Sequence, residues 1–459
     1  LQDVIPRLKA YKNSPKGEQN KAVPVFTSYV DEIQDFTQVE TAIIINFCKD
    51  PNRLVLAGDT AQNICSGVSF RFQDIKSMFY DLNLRLNMER ANDEGGQSVP
   101  EPKCGEIESI NVPSREDGTF CHLNLNFRSH DGVLFLAASV VELLYQYFPY
   151  SIDKLDPDNG IQNGPKPILF RPKSGSGHDF IMMLLGSRDT SRKVPFGASQ
   201  AILVQSRDVI ETLPKELAVH PLILTIQESK GLEFEGVLLY NFFKHSKAAE
   251  KTWRCIAKYM DEQKHDTLQR VDGEMSKQRF QEYCDEMKVK LRSREKDFEE
   301  TEDRILESEL KLLYTAITRA KTNVWIYDED DSKSVPMFEY FERRQLVNIV
   351  ESIEESKKYD FDIARSATHS PSDWISSAEM FEEKAMDKTD PGSKAIFYRL
   401  ALNCYEKAIE EHKDEAGRAG EAMAEGSLEE KKGDAASTGD EKRVPRNALV
   451  NVNVRQIEE

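Results

Sequence analysis

Val23-Pro24-Val25-Phe26-Thr27-Ser28-Tyr29-Val30-Asp31-Glu32 and, further on, Arg53-Leu54-Val55-Leu56-Ala57-Gly58-Asp59 are two apolar runs that each stop abruptly at acids. Both are short and rich in β-branched or aliphatic residues, as strands buried on both faces are. Between them Thr37, with Glu40 three residues later, carries the signature of a capping box, and Ala42–Phe47 supply a buried helix face. Strand, helix and strand in so short a span predict a parallel sheet with crossover helices, whose ligands sit at the carboxyl ends of the strands. Asp31-Glu32 and Gly58-Asp59 lie at those ends.

Outward from this unit, Met88 to Thr119 holds Gly95, Gly96, Pro100, Pro102, Pro113 and Gly118 and reads as an extended loop or insertion. Sheet character resumes at His122–Leu125, and Val133–Phe148 places Leu136, Val140, Leu143, Leu144 and Tyr147 at helical spacing. Ala201–Val204, Leu222–Ile226, Gly236–Phe242 and Asn323–Tyr327 read as four more strands, with a helix over Ile305–Ala320 before the last, giving a second α/β lobe. Lys244–Arg304 interrupts it. Fourteen of the twenty residues from Asp285 to Arg304 are charged, which predicts an inserted helical arm with solvated faces. Beyond Asp330 the chain turns helical: Trp374, Ala378 and Phe381 lie in one segment and Ala395, Leu402, Tyr405 and Ile409 in the next, joined by Asp390-Pro391-Gly392. Two such helices match one tetratricopeptide unit or a plain helical hairpin. The expected organisation is a first lobe over 1–125, a second over 126–335 with the insertion at 244–304, a helical, TPR-like region over 336–410 and a disordered tail over 411–459.

The chain of 459 residues carries 61 Lys and Arg against 79 Asp and Glu, net −18, so any nucleic-acid contact must be a local surface and not a polybasic footprint. Apolar stretches are broken well before bilayer length, and no basic-then-apolar leader opens the sequence, so no membrane partner is expected. Seven scattered cysteines include no C-x-x-C pair, which predicts reduced thiols in a nuclear or cytoplasmic protein.

Five blocks follow one another in order: Val30-Asp31-Glu32-Ile33-Gln34-Asp35; Ala57-Gly58-Asp59-Thr60-Ala61-Gln62; Leu125-Asn126-Phe127-Arg128-Ser129; Thr225-Ile226-Gln227-Glu228-Ser229-Lys230-Gly231-Leu232-Glu233-Phe234; and Leu313-Tyr314-Thr315-Ala316-Ile317-Thr318-Arg319-Ala320. Together they resemble motifs II to VI of the UvrD/Rep-like superfamily 1 helicases, over residues 23 to 327. Gly67-Val68-Ser69-Phe70-Arg71-Phe72 and Val194-Pro195-Phe196-Gly197 narrow the likeness to large eukaryotic proteins that couple such a core to tetratricopeptide and ankyrin repeats. The resemblance implies two RecA-like parallel-sheet lobes of the P-loop NTPase type, the first truncated here, that close over ATP and Mg²⁺ and move along single-stranded DNA or RNA.

Two acids at a strand end can hold the Mg²⁺ that bridges β- and γ-phosphates. Asp31 is the metal-side acid, and Glu32 is placed to deprotonate the attacking water. An exposed acidic turn is the commoner fate of a lone Asp-Glu pair, and Gln34-Asp35 and the later blocks argue against it here. By resemblance Gln62 senses the γ-phosphate. Arg128 and Arg319 match the charge that builds on equatorial phosphate oxygens, and in such helicases they complete the site on lobe closure. Phe127 stands where the family has an adenine-stacking tyrosine, keeping the ring and losing the hydroxyl. Glu233 would accept a ribose hydroxyl, and Gly231 allows close backbone approach. Thr225 and Gln227 are candidate phosphate or nucleic-acid backbone contacts. Phe70 and Phe72 are placed either to stack on unpaired bases or to pack in the core.

The sequence contains no Gly-Lys pair, hence no G-x-x-x-x-G-K-[ST] phosphate loop, which in the family lies upstream of the Asp31 block. Truncation before Leu1 is the expectation, and the isolated chain is expected to hold ATP poorly. The rival reading is a helicase-derived scaffold, nucleotide-gated or inert, that acts through its helical C-terminal part and its protein partners.

Overall fold

The computed structural model describes residues 25–48, 50–65, 68, 70–93, 111–114, 120–153, 157–173, 177, 179–180, 197–257, 297–356, 370–388 and 390–430. In the first lobe β1 (Ser28–Val30) pairs in parallel with β2 (Leu54–Leu56), Ser28 facing Leu54. The crossover is α1 (Gln38–Phe47), and its capping box forms: the Thr37 hydroxyl accepts from the Glu40 N–H, and the Glu40 carboxylate accepts from the Thr37 N–H. After a 3-10 turn at Thr60–Gln62 comes α2 (Phe72–Asp93). Met88–Asp93, expected in a loop, is therefore helical: the run from Phe72 to Asp93 contains no Gly or Pro, and the breakers begin only at Gly95. Ile33, Ile45, Phe70, Ile75 and Phe79 form this lobe's buried cluster.

The second lobe opens with β3 (Leu125–Asn126), beside which β4 (Asn159–Gly160) lies in parallel, and with α3 (Asp131–Tyr147) between them. Its main sheet comprises β5 (Ile168–Phe170), β6 (Gln200–Val204), β7 (Ile223–Thr225), β8 (Phe234–Tyr240) and, after α4 (Ile305–Ile317), β9 (Ala320–Tyr327). Then follow α5 (Asp331–Arg343), β10 (Asn348–Val350), α6 (Pro371–Asp387) and α7 (Pro391–Glu430). The six strands are all parallel, in the order β10-β5-β9-β8-β6-β7. Both faces are covered, which is why these strands are continuous apolar runs. In β6 Ala201 and Leu203 enter one cluster while Ile202 and Val204 enter the other, and in β9 Val324 and Ile326 alternate in the same way with Trp325 and Tyr327. α3 buries Val133, Leu136, Val140, Leu143 and Leu144 against this core, each worth roughly 1.5–3 kcal/mol by the area it removes from water.

Three expected boundaries move. The second lobe extends past residue 335, because β10 adds an edge strand beside β5. Lys244–Arg304 is not a solvated arm at its described ends: Ala248, Trp253, Ile256 and Ala257 are buried, and Phe298 packs on Tyr147 and Phe148. The high average charge hid these few anchors, and 258–296 lies outside the described residues. The helix α7 continues through 411–430, expected as tail, on a composition of Ala, Glu and Lys that favours helix; 431–459 lies outside the described residues. Trp374, Phe381, Phe397 and Cys404 of α6 and α7 join the second lobe's own core. Among the described residues no helix is long and apolar enough to cross a membrane.

Candidate functional site

At the end of β1 the chain kinks: Glu32 adopts φ 53°, ψ 40°, left-handed backbone that a non-glycine residue occupies only when its surroundings impose it. Its N–H donates to Asp31 Oδ1 at 2.9 Å, and its carboxylate accepts from the Gln34 amide. Gln34 is fully buried and ties the two strand ends together, since its Oε1 accepts the Asp59 N–H at 3.0 Å. Gly58 leaves room for this contact, because a Cβ would sit 2.3 Å from that same oxygen and push the amide aside. Asp31 is exposed and makes no ion pair among the described residues, so its carboxylate suits a cation that keeps most of its water.

The turn after β2 meets α4 of the second lobe. Asp59 Oδ1 caps the turn through the Ala61 N–H at 2.9 Å, and Asp59 Oδ2 accepts from Gln62 Nε2 at 2.9 Å and from the Tyr314 hydroxyl at 3.0 Å. Gln62 Oε1 in turn accepts from Arg319 Nη2 at 2.7 Å. Arg319 is 2% exposed, and its remaining nitrogens donate to the Thr315 and Leu232 carbonyls at 3.1 and 3.2 Å. Burial, followed by repulsion from Arg128, lowers the Arg319 pKa, and Glu32, Tyr314 and Asp59 oppose that shift. Those charges therefore lie within electrostatic reach of one guanidinium. A second bridge runs from Lys230 Nζ to Asp35 Oδ1 at 2.5 Å and to the Gln62 carbonyl at 3.0 Å.

On the second lobe Asn126 Oδ1 accepts the N–H groups of Arg128 and Ser129, each at 2.9 Å, which shapes the turn that carries Phe127 outward at 79% exposure. Arg128 Nε lies 2.5 Å from Glu233 Oε2, and Lys321 Nζ lies 2.9 Å from Glu233 Oε1. Burial would raise the Glu233 pKa, but Lys321 and Arg128 outweigh it and hold the carboxyl below its usual range. Gly231 has φ 75°, the left-handed backbone for which glycine is suited, with open space where a side chain would be.

Glu32, Gln62, Arg128 and Arg319 thus gather at one junction, with Asp31 beside Glu32. Glu233, Gly231 and Phe127 lie along its second-lobe wall. Three expectations change. Phe70 is 3% exposed inside the first-lobe core and offers no face to a base, and Phe72 packs edge-on against Phe70 and Phe120. Thr225 is buried and spends its polar groups locally, its N–H donating to Glu228 Oε2 and its hydroxyl accepting the Glu228 N–H. Gln227 alone of that pair stays exposed. Gln34, Asp35, Asp59, Lys230 and Tyr314 had been given no role. Their signal is that each lies within one of the five motif blocks.

The sequence that builds this site is similar to known proteins. Residues 215–329, from the last turn before β7 through β9, match the UvrD-like helicase C-terminal domain family. The chain carries a UvrD-like helicase C-terminal domain. Tyr314, Arg319, Lys230 and Glu233 lie within that UvrD-like domain; Glu32, Gln62 and Arg128 lie N-terminal to the match. The chain is also similar to a human protein, TPR and ankyrin repeat-containing protein 1, at 36% identity over 379 residues, covering 83% of this chain and 11% of that protein. It therefore spans about a tenth of its relative's length.

Proposed function

We propose that the protein is an ATP-dependent motor of the UvrD-like type, in which two lobes closing over Mg·ATP drive movement along single-stranded DNA or RNA. The observation that carries the reading is the contact of Gln62 with Arg319 across the lobes, with Glu32 and Arg128 in reach of the same guanidinium. An inert scaffold has no use for that set together. Mg²⁺ would neutralise charge on the β- and γ-phosphates, with Asp31 as its protein ligand. Glu32 takes the proton of the attacking water. Arg319 and Arg128 leave Gln62 and Glu233 for phosphate oxygens, freeing Glu233 for a ribose hydroxyl and Phe127 for the base. Gln227 is the exposed candidate for a strand contact. Because each arginine is exchanged between a protein acceptor and a phosphate, hydrolysis reports on how the lobes meet.

The test is steady-state ATP hydrolysis by the intact natural protein with and without oligo(dT) or oligo(U). Stimulation by a single strand is expected, falling steeply with salt because net charge −18 leaves only a small basic footprint. Arg128→Ala and Arg319→Ala should abolish the stimulated rate. Bound nucleotide with no stimulation by either strand would leave the scaffold reading, in which α6 and α7 offer the working surface.

A further inference from the structure

We propose that Asp59 and Tyr314 are positioning residues that set the orientation of the Gln62 side-chain amide, so that its oxygen and not its N–H₂ faces the crevice between the lobes. The inference rests on the reading of that crevice as a nucleotide site for its meaning, although the geometry stands without it. A guanidinium only donates, so the Gln62 atom 2.7 Å from Arg319 Nη2 must be the acceptor Oε1. The amide nitrogen is then turned to Asp59 Oδ2, an acceptor, at 2.9 Å. That oxygen also receives the Tyr314 hydroxyl at 3.0 Å, from the last turn of α4, two residues beyond whose end lies Arg319. The carboxylate itself is anchored by its other oxygen on the Ala61 N–H. Every donor in the ring thus meets an acceptor, and a flipped amide would set N–H₂ against guanidinium N–H. Burial first, and then the Asp59 charge, raise the Tyr314 pKa well above its ordinary value, so the phenol remains a donor through the working range.

Two elements from different lobes therefore determine one amide. The turn supplies Asp59, three residues before Gln62, and the end of α4 with the residues just after it supplies Tyr314 and Arg319. When Arg319 moves to a phosphate, Gln62 still presents an acceptor to the crevice, where a water poised beside Glu32 has a proton to offer. Loss of Asp59 removes the acceptor that holds the amide nitrogen, and loss of the phenol loosens that carboxylate, so in either case the amide is less firmly held once Arg319 has moved.

The experiment has two arms. In the first, the Gln62 side-chain amide is followed by ¹⁵N NMR of deuterated, glutamine-labelled chain, assigned by its loss in Gln62→Ala. Tyr314→Phe, which removes only the hydroxyl, and Asp59→Asn should each shift that resonance and speed its hydrogen exchange by about tenfold or more. An unmoved resonance in both variants would overturn the proposal, whatever the protein hydrolyses. In the second, the intact protein's ATPase is measured: Tyr314→Phe and Asp59→Asn should each lower kcat about tenfold with KM for ATP nearly unchanged, and should have little further effect in a Gln62→Ala background. A merely structural role would lower thermal stability and act additively with Gln62→Ala, and that outcome also overturns the proposal. If the wild-type protein hydrolyses no ATP, the motor reading falls and the resonance arm still decides the positioning. Should Tyr314→Phe fail to fold, Asp59→Asn carries both arms.

Discussion

Glu32 combines two properties that rarely coincide outside functional sites: a left-handed backbone, costing on the order of 1–3 kcal/mol, and a carboxylate held by a buried glutamine. The strain persists because Ile33 N–H and Ala57 N–H lock the strand ends to each other, at 2.9 Å to the Ala57 carbonyl and 2.8 Å to the Val30 carbonyl. Glu32→Gln keeps the backbone and the hydrogen-bonding shape while removing the base. In the intact protein it should retain ATP binding, read by titration with a fluorescent ATP analogue, and lose roughly 10²–10⁴ of the turnover rate. Full turnover in that variant would mean that another group is the base. At this scale the sequence told acids from core only where a strand preceded them. Phe70 and Phe72 sit two residues apart in one aromatic run, and nothing local distinguishes a ring that stacks on a base from one that closes a core. The structure places Phe70 among Ile33, Ile75 and Phe79 because the run folds back as the lead-in to α2.

The α6–α7 pair is held to the second lobe by more than apolar contact. Ser377 donates to the Ala198 carbonyl at 3.1 Å, Lys384 to the Gly231 carbonyl at 3.1 Å, and the Trp374 ring lies edge-on to His220 with centroids 6.1 Å apart. His220 is buried with Nε2 2.8 Å from the Gln200 carbonyl, and burial pushes its pKa down to about 4. The folded state therefore binds fewer protons at this site than the unfolded chain between pH 4 and 6.5, so the histidine's contribution to stability is full above 6.5 and is lost as pH falls toward 4. That is worth about 3 kcal/mol for a fully buried group. Asp328, raised to about 7 by burial although the N–H groups of Asp330, Lys244 and Phe243 pull it down, acts in the opposite sense: its contribution is present at low pH and is lost as pH rises toward 7. Wild type should thus show a shallow net dependence, while His220→Gln should gain stability relative to wild type on going from pH 6.5 to 4, measured by urea unfolding with tryptophan fluorescence. A parallel pair of pH curves would show that His220 titrates normally. Elements with long apolar periodicity, such as α3, α4 and α6, were legible in the sequence; β5 and β10 were not, β5 being a three-residue run between Pro167 and Pro172 and β10 a three-residue run closed by an acid.

Across the whole molecule the two lobes are joined by the ring at Gln62 and by Lys230, whose ammonium meets both Asp35 and the Gln62 carbonyl with little exposure to solvent. A half-buried pair at 2.5 Å should couple the lobes by about 1 kcal/mol. Lys230→Met and Asp35→Asn should each broaden the distance distribution between fluorophores placed on exposed Ser77 of the first lobe and Glu211 of the second, and the double variant should add nothing to either. Additive broadening would place the coupling elsewhere. The order of the motifs, the acids and amides at strand ends and the parallel α/β class were written in local pattern, since apolar runs that stop at polar residues specify a sheet edge wherever they fold. Which of those polar groups meet was decided by strand order and lobe docking. Arg319 and Gln62 stand 257 residues apart, and Lys230 and Asp35 195 apart. No periodicity reaches so far, because such contacts depend on how two separately closed cores present their edges to each other and not on the spacing of residues along either one.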